Sequence, residues 1–368
     1  MAQLLLNKKT LRSRKNLKQN QKNSKKLYGK DRVSGIKSYL GKFVRLKEVD
    51  NHKEKVIGRT IEIKEIKSLL ALLRDNQLTG MSGNGHPTVK KIETFLSSKE
   101  NRKVLIVNAV ECEPGLLHDE WLLQNHLKEI IEGVNKIKEI LDIKDAVIAS
   151  KCAIQAPYNA SNIQFTKVSA KYPIGEEHLL IRQVLQHDLE KESIPAQYGI
   201  LVLNVQTVYQ IYKLFHGTYD GGRYVTLADI DQGDAVVAYV YKEDCVQEAL
   251  ENYFGYKARE KAFAGCGIME ANSITKDMEF QDKITFAAVG TQAILSNENQ
   301  CKGCGGCSRR CPADINVKLI VQRREKDWNA DISGLGAERC LNCGTCTYVC
   351  RAQKDVASYV RGAEAQTA

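Results

Sequence analysis

Eight of the twelve cysteines in this 368-residue chain fall between Cys301 and Cys350. The first four run Cys301-x2-Cys304-x2-Cys307-x3-Cys311-Pro312, and the second four run Cys340-x2-Cys343-x2-Cys346-x3-Cys350. Three thiolates at two-residue gaps can wrap one side of an iron–sulfur cube, and Gly303, Gly305, Gly306 and Gly344 let such loops stay tight. In two-cluster ferredoxins the fourth cysteine of each run crosses to the other cluster. Cys301, Cys304, Cys307 and Cys350 are therefore expected on one [4Fe–4S] cluster, and Cys340, Cys343, Cys346 and Cys311 on the second. The competing reading is a pair of four-cysteine zinc sites, but those usually set two C-x2-C pairs apart by a loop. Arg351 stands where the first run has Pro312, which leaves every ligand in place. This crowding speaks for metal chemistry in a reducing compartment, not for a secreted disulfide scaffold. Two clusters relay single electrons and supply no substrate chemistry of their own.

The second chemical feature is a glycine loop, Gly80-Met81-Ser82-Gly83-Asn84-Gly85-His86-Pro87-Thr88, leading into a helix-like VKKIETFLSS. Glycines let backbone N–H groups approach a phosphate, and a helix N-terminus adds partial positive charge. The loop is not G-x-G-x-x-G, so the standard dinucleotide fingerprint is absent. Cys112, Cys152, Cys245 and Cys266 read as small buried residues. Cys266 lies between two glycines and could be accessible, with nothing nearby in sequence to activate it.

These residues need a scaffold. Apolar runs VLIV (104–107), AVIA (146–149) and Ile200–Leu203 read as buried strands, alternating with helical patterns over 62–76, 120–141 and 176–189. Such alternation predicts a parallel, Rossmann-like α/β domain over 36–216. Residues 217–290 carry short strand-like runs, one helix (CVQEALENYF) and a closing ITFAAVG, a small α+β unit. Residues 291–368 hold the cysteines, with a helical VKLIVQRREKDW between the two runs. Residues 1–35 are polar, basic and poor in apolar material, the composition of a disordered tail.

The ordered series of glycine loop, Asn108-Ala109-Val110-Glu111-Cys112-Glu113-Pro114-Gly115, Tyr172-Pro173-Ile174-Gly175-Glu176-Glu177, Asn204-Val205-Gln206-Thr207 and paired cysteine runs resembles the C subunit of Rnf-type electron-transport complexes. More distantly it is similar to the NADH-binding flavin subunit of respiratory complex I. The resemblance extends from about residue 70 to the C-terminus and implies an FMN domain, an SLBB-like (β-grasp-like) middle domain and a helical double-cluster ferredoxin domain. Relatives of this layout include a microcompartment cobalamin reductase and an electron-transfer protein linked to proline reduction. Carried over residue by residue, it implies that Gly80, Gly83, Gly85 and Lys91 cradle the FMN phosphate, and that Asn108 and Glu111 hold the flavin. Gly175, Glu176 and Glu177 would lie beside flavin and nicotinamide, and Asn204 and Thr207 would close the pocket. The family loop usually reads G-x-G-G-A-G-F-P-T. Here Ser82, Asn84 and His86 replace a glycine, an alanine and a phenylalanine, and Val110 replaces an acidic residue. Added side chains crowd a backbone that a ligand must approach closely. NADH use is the inference most exposed to these changes. His86, Trp121 and Trp328 read as ordinary loop or packing residues.

The expected function is an electron-transfer oxidoreductase component passing electrons between NADH, FMN and a redox protein partner or other subunits through two [4Fe–4S] clusters. A flavin-free iron–sulfur relay or docking subunit is the alternative. A third reading, nucleic-acid binding, rests on the charge of +10. The first thirty residues hold ten basic and no acidic side chains, so that charge is confined to the tail and the body is balanced. Tyr28 is the tail's only aromatic, leaving almost no platform for base stacking, so nucleic acid is not the expected partner. No apolar run reaches the ~18–20 residues of a membrane span, which makes a cytoplasmic chain, with peripheral membrane association at most, the expectation. Each cluster with its four thiolates carries roughly −2 or −3. The tail is then read as a tether toward an acidic partner, an anionic surface or the cluster domain itself.

Overall fold

The computed structural model describes residues 45–362, apart from 56–57, 59, 84, 112, 156–161, 170–171, 191–192, 256–261, 270 and 291–298. The basic tail therefore lies outside the described residues, as does Asn84 of the glycine loop.

Four strands, β2 (Val104–Ala109), β3 (Asp145–Ser150), β4 (Ile163–Lys167) and β5 (Ile200–Asn204), form a parallel sheet in the order β4-β3-β2-β5. All six residues of β2 are buried, as its unbroken apolar run requires of a strand covered on both faces. Leu105 and Val107 pack into one apolar cluster, Val104 and Ile106 into another. The strand order reverses direction between β2 and β5. In open α/β sheets the crevice at the carboxyl ends beside such a reversal is where ligands bind.

Helices α1 (Ile66–Asp75), α2 (Thr88–Leu96), α3 (His118–Asn125), α4 (Leu127–Leu141), α5 (Glu177–Leu185) and α6 (Val205–Phe215) accompany this sheet. In α4, Ile130, Val134, Ile137 and Leu141 make the buried stripe. Gly133 admits α6 closely, since a Cβ there would meet the Val208 carbonyl at 3.0 Å. The helical pattern over 120–141 divides in two at His126, whose φ is −122°. The His126 ring is held against Trp121 and Tyr209, at 5.5 and 4.8 Å between centroids, and tertiary packing there outweighs helix continuation.

A second, six-stranded sheet follows. β6 (Arg223–Asp229) and β7 (Asp234–Val240) pair antiparallel. The chain then passes through α7 (Val246–Phe254), β8 (Ala262–Gly265) and β9 (Asn272–Ser273), and β10 (Phe286–Val289) inserts parallel to β6 and antiparallel to β8. Two central parallel strands flanked by antiparallel neighbours, with one helix over the face, are the β-grasp arrangement implied by the resemblance. The sixth strand, β1 (Arg45–Asp50), precedes the Rossmann-like unit in sequence, within the expected 36–216 span, yet lies parallel on the outer edge of β7. It covers an edge whose backbone groups would otherwise be unpaired.

The C-terminal unit is α8 (Gly306–Arg310), α9 (Val317–Arg324), α10 (Thr345–Tyr348) and α11 (Val356–Arg361). Its small apolar core includes Val317, Ile320, Val321, Val356 and Val360, with the cysteines packed against it. Among the described residues no helix is long and apolar enough to cross a membrane.

Candidate functional site

The glycine loop is closed at its feet. Thr79 and Pro87 form a β-bridge, Gly80 N–H donates to the His86 carbonyl at 2.8 Å, and Thr88 N–H donates to the Leu78 carbonyl at 2.9 Å. Gly83 and Gly85 have φ of +91° and +63°, a region costly for residues with a Cβ. Behind Gly83 stands Cys266 of the β-grasp unit. Its thiol donates to the Gly83 and Lys283 carbonyls at 3.2 and 3.3 Å, and a Cβ on Gly83 would lie 2.9 Å from its sulfur. Met81 N–H donates to Thr207 Oγ1 at 3.0 Å. Lys91 projects from α2, with Nζ 3.0 and 3.2 Å from the two carboxylate oxygens of Glu177.

At the strand reversal, Asn108 on β2 stands in register with Asn204 on β5. Asn108 donates to the Gly175 carbonyl (3.0 Å) and accepts from Val110 N–H (3.0 Å). Asn204 caps α6 by accepting from Gln206 N–H (2.8 Å) and donates to Asp119 Oδ2 (2.7 Å). Glu176 caps α5, accepting from the N–H groups of His178 and Leu179. Of the eleven flavin-side residues expected from sequence, Asn108, Gly175 and Asn204 lie at the carboxyl end of the sheet, Thr207 and Glu177 contact the glycine loop and Lys91, and Glu111 turns inward. It is 3% exposed, and its Oε1 accepts from Glu120 N–H at 3.1 Å. Beside it lie His118 and Asp119, each 2% exposed. Burial, and then the nearby Glu111 charge, push the Asp119 carboxyl well above its usual range, and burial pushes the His118 imidazole down.

The phosphate end of FMN fits this arrangement. Lys91 lies in the first turn of a nine-residue helix behind a glycine loop, the end of a helix whose dipole favours anions. The hydroxyls of Thr79 and Thr88, at the two feet of the loop, are buried with no hydrogen-bond partner among the described residues. Thr79, His118 and Asp119 escaped the sequence reading. Thr88 figured there only as the last residue of the loop motif, and Cys266 only as a glycine-flanked thiol without its Gly83 contact.

The cysteine loops also fit their clusters. Gly303, Gly305 and Gly344 have φ between +66° and +69°, the turn conformation that a tight wrap needs. Burial raises the Cys307 thiol, and the neighbours acting on it further are Cys301, Cys350 and Cys304. Burial likewise raises Cys343 and Cys346; the thiols acting on Cys343 are Cys311 and Cys340. The fourth cysteine of each run thus neighbours the other run. Crowded, half-buried thiols of this kind become thiolates when iron supplies the positive charge. Cys304 is exposed, whereas the loop of the second run is joined to the flavin side. Tyr172 OH donates to the Cys343 carbonyl at 2.6 Å, three residues before Gly175.

Residues 73–213 match the family described as the Nuo51 FMN-binding domain, and residues 293–361 match a 4Fe-4S dicluster domain. The C subunit of an ion-translocating oxidoreductase complex from Vibrio cholerae serotype O1 is 31% identical over 278 residues, 72% of this chain and 35% of that protein. The C subunit of a proton-translocating ferredoxin:NAD(+) oxidoreductase complex from Clostridium ljungdahlii is 24% identical over 71% of this chain and 59% of its own length. Among solved structures, the NAD+-reducing [NiFe]-hydrogenase in its air-oxidized state shares the fold. The TM-score is 0.54 at 15% identity, covering 80% of this chain and 60% of that one. Fold and site thus define a Nuo51-type flavin domain continued by a dicluster iron–sulfur module. Over most of its length the chain is similar to the C subunits of these ion-translocating complexes. It spans about a third of the length of the Vibrio relative.

Proposed function

We propose that this chain is an electron-relay subunit that passes electrons between NADH, a bound FMN and a protein partner through two [4Fe–4S] clusters. FMN supplies the exchange between two-electron hydride chemistry and one-electron steps. The chain's own residues bind and space the carriers. Lys91 and the loop backbone would hold the phosphate, with the Thr79 and Thr88 hydroxyls completing the cradle. Asn108 and Asn204 fix the strand ends, and Glu176 fixes the start of α5. Cys340, Cys343, Cys346 and Cys311 would hold the inner cluster, and Cys301, Cys304, Cys307 and Cys350 the outer one.

The observation that carries this reading is the Tyr172–Cys343 hydrogen bond, which ties the flavin-side turn directly to the second cysteine loop. The inner cluster then exchanges electrons with the flavin. The outer cluster, with exposed Cys304, meets the partner. Anaerobically purified full chain should contain about eight iron atoms and one FMN per chain, and NADH should bleach its cluster absorbance. Full iron with no flavin, even after FMN addition, together with bleaching by dithionite alone, would establish the flavin-free relay instead.

A further inference from the structure

Beneath the flavin side lies a buried group of three side chains that the proposed relay does not use. Glu111 follows β2, while His118 and Asp119 open α3. Each offers one ligand atom, and these atoms lie within 4.8 Å of one another. The residues are 3%, 2% and 2% exposed.

In each carboxylate one oxygen is anchored and the other has no hydrogen-bond partner among the described residues. Glu111 Oε1 accepts from Glu120 N–H at 3.1 Å, while Oε2 is buried without a hydrogen-bond partner. Asp119 Oδ2 accepts from Asn204 at 2.7 Å, while Oδ1 is buried without a hydrogen-bond partner. His118 Nδ1 lies 3.0 Å from Thr226 Oγ1, while Nε2 stands 3.8 Å from Asp119 Oδ1, beyond hydrogen-bond reach. Among the described residues no lysine or arginine ion-pairs with either carboxylate. Two adjacent buried carboxyl groups with orphan oxygens are costly, and burial with the Glu111 charge raises the Asp119 carboxyl even though the Lys151 charge opposes it. A cation among them would remove the cost of both.

We propose that Glu111, His118 and Asp119 form a buried site for one divalent first-row cation of the zinc or manganese class. The donor set, one imidazole nitrogen and two carboxylate oxygens, suits those ions better than the soft-ligand metals that prefer thiolates. Metal-bound histidines and carboxylates are held by hydrogen bonds on their outer atoms. Here Thr226, Asn204 and the Glu120 N–H occupy those positions. With metal–ligand bonds of about 2.1 Å, tetrahedral ligand atoms lie about 3.4 Å apart. The His118–Asp119 separation is near that value already, and the widest pair must close by about 1 Å or a little more. Burial makes the role structural. The ion would join the end of β2, the first turn of α3 and, through Thr226, strand β6 of the β-grasp sheet.

The test is metal analysis of the full chain, purified anaerobically from cells supplied with both zinc and manganese. Only preparations with their full iron complement are compared, so that zinc in empty cluster sites does not count. The wild type should retain about one zinc or manganese ion per chain through exhaustive buffer exchange. Asp119→Asn and His118→Gln, which keep side-chain shape, should retain a tenth of that or less with iron unchanged. A fully iron-loaded wild type without a stoichiometric zinc or manganese ion overturns the proposal. So does full retention of the ion by both variants. Should one variant fail to fold, the wild-type content and the other variant still decide.

Discussion

Gly83→Ala is the sharpest probe of the glycine loop, because two separable penalties meet at one atom. The first is conformational: at φ +91° an alanine costs about 1–2 kcal/mol. The second is steric. The new Cβ would stand 2.9 Å from Cys266 Sγ and 3.1 Å from Cys266 Cβ, against an optimum of about 3.5–4.0 Å, an overlap of the kind that costs about 1–3 kcal/mol. The loop's native shape therefore loses roughly 2–5 kcal/mol relative to collapsed alternatives. Apparent affinity falls with the population of the competent shape, so the FMN dissociation constant should rise about thirtyfold or more. Only the steric part can be relieved from the other side. In Gly83→Ala/Cys266→Ala the sulfur is gone, and about 1 kcal/mol, or fivefold in affinity, should return. FMN fluorescence titration of the full chain and its three variants supplies the cycle. The reasoning fails if the two substitutions add within about 0.5 kcal/mol, or if Gly83→Ala leaves FMN affinity unchanged.

Three further outcomes follow from other parts of the molecule. Lys213, 2% exposed and ion-paired to Glu54 and Asp220 at 3.1 and 3.2 Å, should be among the costliest surface-remote substitutions. Lys213→Met strands two carboxylates and should destabilise by about 3–5 kcal/mol, read as a large drop in thermal midpoint. Burial raises the Asp220 carboxyl, but the Tyr239 hydrogen bond and the Lys213 charge outweigh it and hold the group below its ordinary 3.8. Its contribution is thus present above about pH 4 and is lost as pH falls through the lower native value. Acid unfolding curves of wild type and Asp220→Asn should accordingly differ above that window and converge below it. Cys311→Ser should disturb the inner cluster and Cys350→Ser the outer one. If iron analysis and electron paramagnetic resonance show each variant losing the cluster of its own run instead, the crossed assignment is wrong.

How legible the molecule was in its sequence depended on the range over which each feature is encoded. The cluster loops announce themselves because ligand spacing is local chemistry, and β2 and β5 because an apolar run without alternation has few other uses. Strand β4 was missed: its pattern IQFTK is buried at one end only, the signature of a sheet edge, which leaves little periodicity to read. Strand β1 was legible neither as a strand nor as a member of the second sheet, since its partner β7 lies about 190 residues on. Cys266 read as a glycine-flanked thiol with no neighbours, and its neighbour is Gly83, 183 positions away. The Glu111–His118–Asp119 group likewise arises only when the chain turns back over the end of β2. The glycine loop was legible as a motif, whereas the contact that shapes Gly83 was not.

The turn between β8 and β9 explains why these modules belong in one chain. Cys266 backs the glycine loop at Gly83. One residue on, Gly267 lies so close to Glu113, in the loop after β2, that a Cβ would sit 2.1 Å from its carboxylate. Met269 N–H donates to the same carboxylate at 2.8 Å, and the Met269 side chain packs 3.7 Å from where a Cβ on Gly344 would stand, inside the second cysteine loop. Three residues of the small β-grasp unit, Cys266, Gly267 and Met269, thus lie against the glycine loop, the loop after β2 and the second cysteine loop. Electron transfer between carriers falls steeply with their separation, and no covalent link fixes that separation here, because flavin domain and cluster module are distant in sequence. Packing must set it instead, directly through the Tyr172–Cys343 hydrogen bond and indirectly through an intervening element. In the proposed relay the β-grasp unit would therefore act as a spacer, setting the second cysteine loop against the flavin side through the turn between β8 and β9.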